Sequence, residues 1–163
     1  ASVRHALHNR KCSLALDHAR HFAFSMLSTT WHARSVRMAE ILVVDDSKVM
    51  REMVVACLRA RSELTFSQAA SGLEAIEALS LHSFDALVLD LNMPDIGGIE
   101  VIEFVRAQER FYSLPILVVT SRGDETSRHN ALSAGATKFL TKPFTPDSIL
   151  GAVSDMLAQG AER

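Results

Sequence analysis

Three short apolar runs constrain the fold of this chain more than any other feature of its sequence. They cover residues 41–44, 86–89 and 116–119, and polar or turn-forming residues follow each of them. Runs of this length are too short for a helix, so each predicts a strand that is buried on both faces of a sheet. Two weaker segments, at residues 64–69 and 137–140, complete a set of predicted strands along the chain.

Segments with apolar residues at helical spacing separate these strands. Ser47 is a favourable N-cap for the first helix, and Thr145 followed by Pro146 is a typical start for the last one. We also expect helices after Gly98 and over residues 123–134. Strands that alternate with helices require crossover connections, so the sequence predicts an α/β fold: a parallel sheet with helices on both faces.

Residues 1–37 and residues 38–163 differ in charge, although the whole chain has a net charge of −2. The first segment carries six basic residues and one acidic residue, and the second carries 11 basic and 18 acidic residues, so their net charges are +5 and −7. All the predicted strands lie in the second segment. We therefore expect one domain over residues 38–163. Residues 1–37 form a basic N-terminal extension that either is not native or is a partly ordered helix.

The composition disfavours several classes of protein. The negative charge of the predicted domain disfavours nucleic-acid binding. No apolar run approaches the roughly 18 residues that a membrane-spanning helix needs. The two cysteines, Cys12 and Cys57, form no disulfide framework, which favours a reducing compartment. We therefore expect a cytoplasmic protein without a membrane segment.

Polar side chains follow the predicted strands at their C-terminal ends. Asp45 and Asp46 follow the first strand, Asp90 the third and Thr120 the fourth, and Lys142 lies in the loop after the fifth. In an open parallel sheet these ends lie at one edge, which is where ligands bind. The sequence therefore predicts that the five side chains form one site.

Carboxylates that are packed together need a compensating charge. At about 4 Å and an effective dielectric constant of about 20, each close pair repels by roughly 4 kcal/mol, so either a proton or a cation is expected to enter. Oxygen ligands with open positions suit Mg²⁺. An ammonium group and a hydroxyl beside them suit a phosphoryl group, so we interpret Asp90 as a nucleophile that becomes an aspartyl phosphate.

Residues 40–158 resemble the receiver domain of two-component response regulators, of the chemotaxis CheY type. The resemblance rests on four motifs in the family's order and spacing: Ile41-Leu42-Val43-Val44-Asp45-Asp46-Ser47, Leu89-Asp90-Leu91-Asn92-Met93-Pro94, Val118-Val119-Thr120-Ser121, and Ala134-Gly135-Ala136 through Lys142-Pro143-Phe144. It implies a flavodoxin-like, doubly wound (βα)5 fold with a five-stranded parallel sheet in the order 2-1-3-4-5.

The resemblance also implies roles for single residues. Asp90 is expected to accept the phosphoryl group. The Mg²⁺ ligands are expected to be Asp46, Asp90 and the backbone carbonyl of Asn92, with Asp45 acting mostly through water. Lys142 is expected to pair with the phosphoryl group, and its bond to Pro143 is expected to be cis.

Two further residues are implied to act as a switch. Thr120 is expected to form a hydrogen bond with the phosphoryl group, and Phe139 to turn inward when the threonine moves. From the residues alone, Phe139 could equally be an ordinary core aromatic, and both interpretations can hold together.

The resemblance implies a signalling protein that catalyses its own phosphorylation and dephosphorylation rather than an enzyme with a separate substrate. The expected partners are a histidine kinase or phosphotransfer protein and a downstream target protein, and the expected state is a monomer or weak dimer. Two alternatives stay open. A Mg²⁺-dependent phosphatase that acts through an aspartyl phosphate would typically carry Asp-x-Asp, whereas Asp45 and Asp46 are adjacent. A flavodoxin-like electron carrier would need a phosphate-binding loop where these two carboxylates would repel the phosphate.

Overall fold

The computed structural model describes residues 38–121 and 123–161, and the prediction for residues 1–37 lies outside this range. Strands and helices alternate along the described chain, as predicted. Their bounds are β1 Ala39–Val44, α1 Lys48–Leu58, β2 Leu64–Ala69, α2 Gly72–Leu81, β3 Ala86–Leu89, α3 Gly98–Ala107, β4 Ile116–Thr120, α4 Glu125–Ala134, β5 Lys138–Thr141 and α5 Pro146–Ala161. Within this range, no helix has both the length and the apolar character that crossing a membrane requires.

The five strands form one parallel sheet in the order β2-β1-β3-β4-β5. This confirms the predicted fold class and strand order. The bond between Lys142 and Pro143 is cis, as expected. Side chains of successive strand residues point to opposite faces of the sheet, and both faces are covered by helices.

Each face of the sheet has its own apolar core. On one face, strand residues such as Leu42, Leu87 and Val118 pack with α2, α3 and α4. On the other face, residues such as Val43 and Val88 pack with α1 and α5. The three central strands are buried on both sides, which explains why their sequences are continuous apolar runs.

Several boundaries differ from the sequence prediction. The prediction that a helix begins at Gly123 is wrong, because Asp124 caps α4 by accepting a hydrogen bond from Ser127 N at 2.8 Å and the helix starts at Glu125. The 3-10 helix Glu109–Phe111 was not predicted. Strands β1 and β5 also shift by one or two residues, since their ends are set by pairing with β2 and β4.

The register of the sheet places the candidate site residues at one edge. Val44 of β1 is paired with Leu89 of β3, and Asp90 N donates a hydrogen bond to Val44 O at 2.9 Å. Asp45 and Asp90 therefore leave the sheet side by side. Thr120 is the last residue of β4 and is paired with Thr141 of β5, so Lys142 follows at the same edge.

Candidate functional site

Three carboxylates lie together at the carboxyl edge of the sheet. Asp45, Asp46 and Asp90 each place one oxygen within 4.8 Å of the other two. Asp45 and Asp90 are both 5% exposed, whereas Asp46 is exposed to solvent. The cluster is thus a small acidic depression with two buried members and one member at its rim.

Lys142 bridges the two buried carboxylates. Its Nζ lies 2.6 Å from Asp45 Oδ2 and 3.1 Å from Asp90 Oδ2. Burial opposes the charged form of this lysine, but hydrogen bonds and charge attraction to Asp45 and Asp90 outweigh it, so the pKa of Lys142 is raised above its ordinary value of 10.5. The ammonium group is therefore charged at neutral pH, and one positive charge faces three negative ones.

The other oxygens of the buried pair accept hydrogen bonds from the backbone. Asp45 Oδ1 accepts from Ser47 N at 2.8 Å, and Asp90 Oδ1 accepts from Leu91 N at 2.8 Å. Both carboxylates are therefore fixed in direction by one backbone group and by Lys142. Fixed carboxylates lose little freedom when they bind a further group, which favours binding at this point.

Thr120 is fully buried at the end of β4. Its Oγ1 accepts a hydrogen bond from Asn92 Nδ2 at 3.1 Å, and the same amide nitrogen lies 3.2 Å from Ser121 Oγ. The side chain of Asn92 therefore connects the loop after Asp90 to the end of β4. The sequence predicts the backbone carbonyl of Asn92 as a ligand, but it did not predict this contact of the side chain with Thr120. The signal for this contact was that Asn92 closely follows β3 and Thr120 ends β4, and these two strands are neighbours in the sheet.

Phe139 is half-buried on β5 and packs against the core on the α2, α3 and α4 face. The guanidinium carbon of Arg128, on α4, lies 5.7 Å from the centre of its ring. Phe139 therefore contacts both the core and a helix that follows the Thr120 loop. Its role as a switch stays a prediction.

A glycine allows the next helix to approach Asp90 closely. A Cβ atom on Gly98, the first residue of α3, would lie 2.3 Å from the carbonyl oxygen of Asp90 and 2.8 Å from Leu91 Cα. Gly98 N also donates a hydrogen bond to Leu91 O at 3.1 Å. Any larger residue would push the helix away from the backbone that carries Asp90.

Arg51, on α1, was not predicted to belong to the site. Its Nη1 donates to the carbonyl oxygens of Asp45 at 2.7 Å and Asp46 at 3.4 Å. Its only sequence signal was its place in the first turn of the helix that follows both aspartates, and that signal is shared by many surface residues.

The donor set of the site fits a hard divalent cation. Within the described residues, the clustered ligand atoms are carboxylate oxygens of Asp45, Asp46 and Asp90, and one of these residues is open to solvent. Such a set, with a negative charge exceeding that of Lys142, suits Mg²⁺, which prefers oxygen ligands and keeps several waters.

Comparisons with known proteins agree with this geometry. The family model described as "Response regulator receiver domain" matches residues 41–154. The chemotaxis protein CheY homolog of Campylobacter jejuni is 33% identical over 123 residues, which are 75% of this chain and 95% of that protein. The chemotaxis protein CheY of Pseudomonas aeruginosa is 38% identical over 106 residues, which are 65% of this chain and 86% of that protein.

A solved structure gives the same result. The chemotaxis response regulator CheY4 of Vibrio cholerae superposes with a TM-score of 0.68 at 34% identity, over 73% of this chain and 98% of that one. The predicted resemblance to receiver domains is therefore confirmed. The chain belongs to the family of response regulator receiver domains.

Proposed function

We propose that this protein accepts a phosphoryl group on Asp90 and uses the modification to change a protein-binding face. The observation that carries the proposal is the arrangement around Asp90: a buried carboxylate, 3.1 Å from the Lys142 ammonium and clustered with two further carboxylates. In the proposed reaction a carboxylate oxygen of Asp90 forms a bond to phosphorus. The phosphorus–nitrogen bond of a phosphohistidine donor breaks, and the imidazole nitrogen keeps the electron pair.

Asp45, Asp46 and Asp90, with the carbonyl of Asn92, would hold Mg²⁺ in this proposal. A bound Mg²⁺ ion supplies positive charge for the oxygens of the phosphoryl group. Lys142 would supply a second positive charge, because its ammonium group already contacts two of these carboxylates. After transfer, Lys142 would pair with a phosphoryl oxygen and so loosen its contact with the carboxylates.

Thr120 and Phe139 would carry the change to the surface. The Thr120 hydroxyl accepts a hydrogen bond from the Asn92 amide, and it would donate its own proton to a phosphoryl oxygen at Asp90. A shift of Thr120 would change the packing next to α4. Phe139 would respond to this change, because its ring contacts Arg128 of α4. Two packings of one aromatic side chain are enough to give a two-state surface.

The face that would respond lies on α4, β5 and α5. Thr126 and Asn130 are exposed on α4, and Lys138 on β5 forms an ion pair with Asp155 of α5 at 2.6 Å. We propose that this face binds the downstream target, and that the partner on the other side of the reaction is a histidine kinase or a phosphotransfer protein. The proposal places the protein in the cytoplasm, as a monomer or weak dimer.

The proposal is tested by incubating the full chain with acetyl phosphate and Mg²⁺ and measuring its intact mass. Wild type is expected to gain the mass of one phosphoryl group, and Asp90→Asn is expected to gain none. Asp147→Asn removes an exposed carboxylate from the start of α5 and is expected to behave as wild type. Phosphorylation of Asp90→Asn, or a wild type that gains no mass, would contradict the proposal.

The alternative of a Mg²⁺-dependent phosphatase predicts a different result. Such an enzyme would hydrolyse a small phosphate ester over many turnovers. In this chain Ser47, not a second acid, stands two residues after Asp45, and its backbone N–H already occupies an Asp45 oxygen. We therefore expect no steady-state turnover of p-nitrophenyl phosphate; turnover that is lost in Asp90→Asn would favour the phosphatase.

A further inference from the structure

Arg51 connects three parts of the chain around the acidic cluster. It lies half-buried in the first turn of α1, and its backbone N donates to Ser47 O at 3.1 Å. Its Nη1 donates to the carbonyl oxygen of Asp45 at 2.7 Å and lies 3.4 Å from that of Asp46, and its Nε donates to Gln68 Oε1 of β2 at 3.3 Å. One side chain therefore ties the loop between β1 and α1 to the neighbouring strand.

The two carbonyl groups that Arg51 contacts flank a single residue. The carbonyl of Asp45 belongs to the peptide group before Asp46, and the carbonyl of Asp46 belongs to the peptide group after it. These two peptide planes define both backbone torsions of Asp46, and hence the direction of its Cα–Cβ bond. Fixing the planes therefore fixes where the Asp46 side chain leaves the backbone, and so limits the positions that its carboxylate can reach.

Asp46 depends on this support more than its neighbours do. The carboxylates of Asp45 and Asp90 are held by backbone N–H groups and by Lys142, and both are buried. The carboxylate of Asp46 is exposed, yet one of its oxygens lies within 4.8 Å of the other two. Like charges repel, so a free loop would let this carboxylate turn away into solvent.

We propose that Arg51 is a positioning residue for divalent-cation binding, which acts by holding the two peptide groups around Asp46 so that its carboxylate faces Asp45 and Asp90. The inference rests on the proposed function and deepens it. It predicts that Arg51 raises the affinity of the site for Mg²⁺ and leaves the reactivity of Asp90 unchanged once the cation is bound.

The positive charge of Arg51 has the opposite effect on the affinity for Mg²⁺. A guanidinium group near a cation site repels the cation, so loss of that charge alone would make Mg²⁺ bind more tightly. Loss of positioning would make Mg²⁺ bind more weakly. The direction of the change in affinity therefore separates the two effects.

The first measurement is calorimetric titration of the full chain with Mg²⁺ alone. For Arg51→Met we expect the dissociation constant to rise about tenfold, as is usual when a group that orients a ligand is removed. Arg51→Lys keeps the charge and a hydrogen-bond donor, so we expect a smaller rise. Arg59→Met is the matched control, because Arg59 is exposed and lies about 12 Å further along the same helical direction; its affinity should equal that of wild type.

The second measurement is the rate of phosphorylation by acetyl phosphate as a function of Mg²⁺ concentration. For Arg51→Met we expect the half-saturating concentration to rise by about the same tenfold factor, and the rate at saturation to match wild type. A general loss of structure would instead lower the saturated rate.

Gln68→Leu gives an independent test if Arg51→Met does not fold, since it removes an exposed acceptor of the Arg51 side chain. We expect it to weaken Mg²⁺ binding by a smaller factor. Where both variants fold, the double variant should bind no more weakly than Arg51→Met alone, because both changes release the same side chain.

Three results would overturn the inference. They are unchanged or tighter Mg²⁺ binding in Arg51→Met, a saturated rate that falls with the affinity, and unchanged binding in Gln68→Leu when Arg51→Met is unfolded. If wild type binds Mg²⁺ and accepts the phosphoryl group, these results refute the role of Arg51 and leave the proposed function intact. A wild type that binds no Mg²⁺ would refute both.

Discussion

Without a cation, Asp46→Asn is expected to be more stable than wild type. With Mg²⁺ bound, it is expected to be less stable than wild type. Asp46 is the exposed member of three carboxylates whose oxygens lie within 4.8 Å of one another. Two unit charges at that distance repel by about 0.9 kcal/mol in water and by about 3.5 kcal/mol at a dielectric constant of 20. The lower value applies at an exposed rim. Asp46 takes part in two such pairs, and its attraction to Lys142 offsets part of their repulsion. The net repulsion that Asp46→Asn removes is therefore about 1 kcal/mol.

This difference is measured by thermal unfolding in EDTA, followed by circular dichroism. A gain of about 1 kcal/mol corresponds to a rise in Tm of roughly 3–5 °C for a domain of this size. Glu103→Gln is the control, because it removes an exposed negative charge from α3, away from the cluster. Its Tm should move far less, since surface substitutions of this kind change stability by about 0.5 kcal/mol or less.

Addition of Mg²⁺ should reverse the order of the melting temperatures of wild type and Asp46→Asn. A cation at 100 times its dissociation constant stabilises the folded state by about 2.7 kcal/mol, and Asp46→Asn loses most of that gain because it lacks one ligand. Wild type should then melt above the variant. A variant that melts below wild type in EDTA, or an equal rise of both proteins on addition of Mg²⁺, would refute the reasoning.

Three further predictions concern charge, buried carbonyl groups and close backbone contacts, and urea unfolding measures all three. Lys142→Met should lower the free energy of unfolding by about 3 kcal/mol, because it leaves two buried carboxylates without the lysine charge. The raised pKa of Lys142 means that this difference in stability is fully present from neutral pH to pH 10.5 and closes only as the pH rises through the folded-state pKa; a difference that already shrinks between pH 7 and pH 9 would contradict it. Arg106→Met should lower the free energy of unfolding by about 2–4 kcal/mol, since the Arg106 guanidinium donates to three backbone carbonyls. Arg110→Met removes a hydrogen bond to one carbonyl and should lower it by less; equal losses would contradict this. Gly98→Ala should destabilise the domain because its Cβ would meet a carbonyl oxygen at 2.3 Å, whereas Gly151→Ala, with open space in α5, should stabilise it by about 1 kcal/mol; stabilisation by both would count against the structure at Gly98.

The parts of the fold that the sequence predicts follow from local rules. The central strands could be predicted because a short apolar run between polar segments has few other interpretations. The meeting of Asp45, Asp90 and Lys142 could be predicted because parallel strands end at one edge of the sheet. The register, which pairs Val44 with Leu89, then sets the distances.

The contacts that could not be predicted depend on long side chains and on the backbone they reach. Arg51 and Arg106 both donate to carbonyl oxygens of loops, and nothing in the spacing of charged residues indicates which carbonyls they reach. Gly135 has φ of 116° at the end of α4, and its carbonyl accepts two of the Arg106 hydrogen bonds. A glycine at a helix end is readable from sequence, but its partner on another helix is not.

The central claim is that Asp90 carries the phosphoryl group as an acyl phosphate. The most direct measurement is borohydride reduction of the protein after incubation with acetyl phosphate and Mg²⁺, followed by peptide mapping. We predict reduction at residue 90, dependent on Mg²⁺ and abolished by prior treatment with hydroxylamine, which cleaves acyl phosphates. A phosphoryl group that survives hydroxylamine, or that maps to a histidine, serine or threonine, would contradict the account.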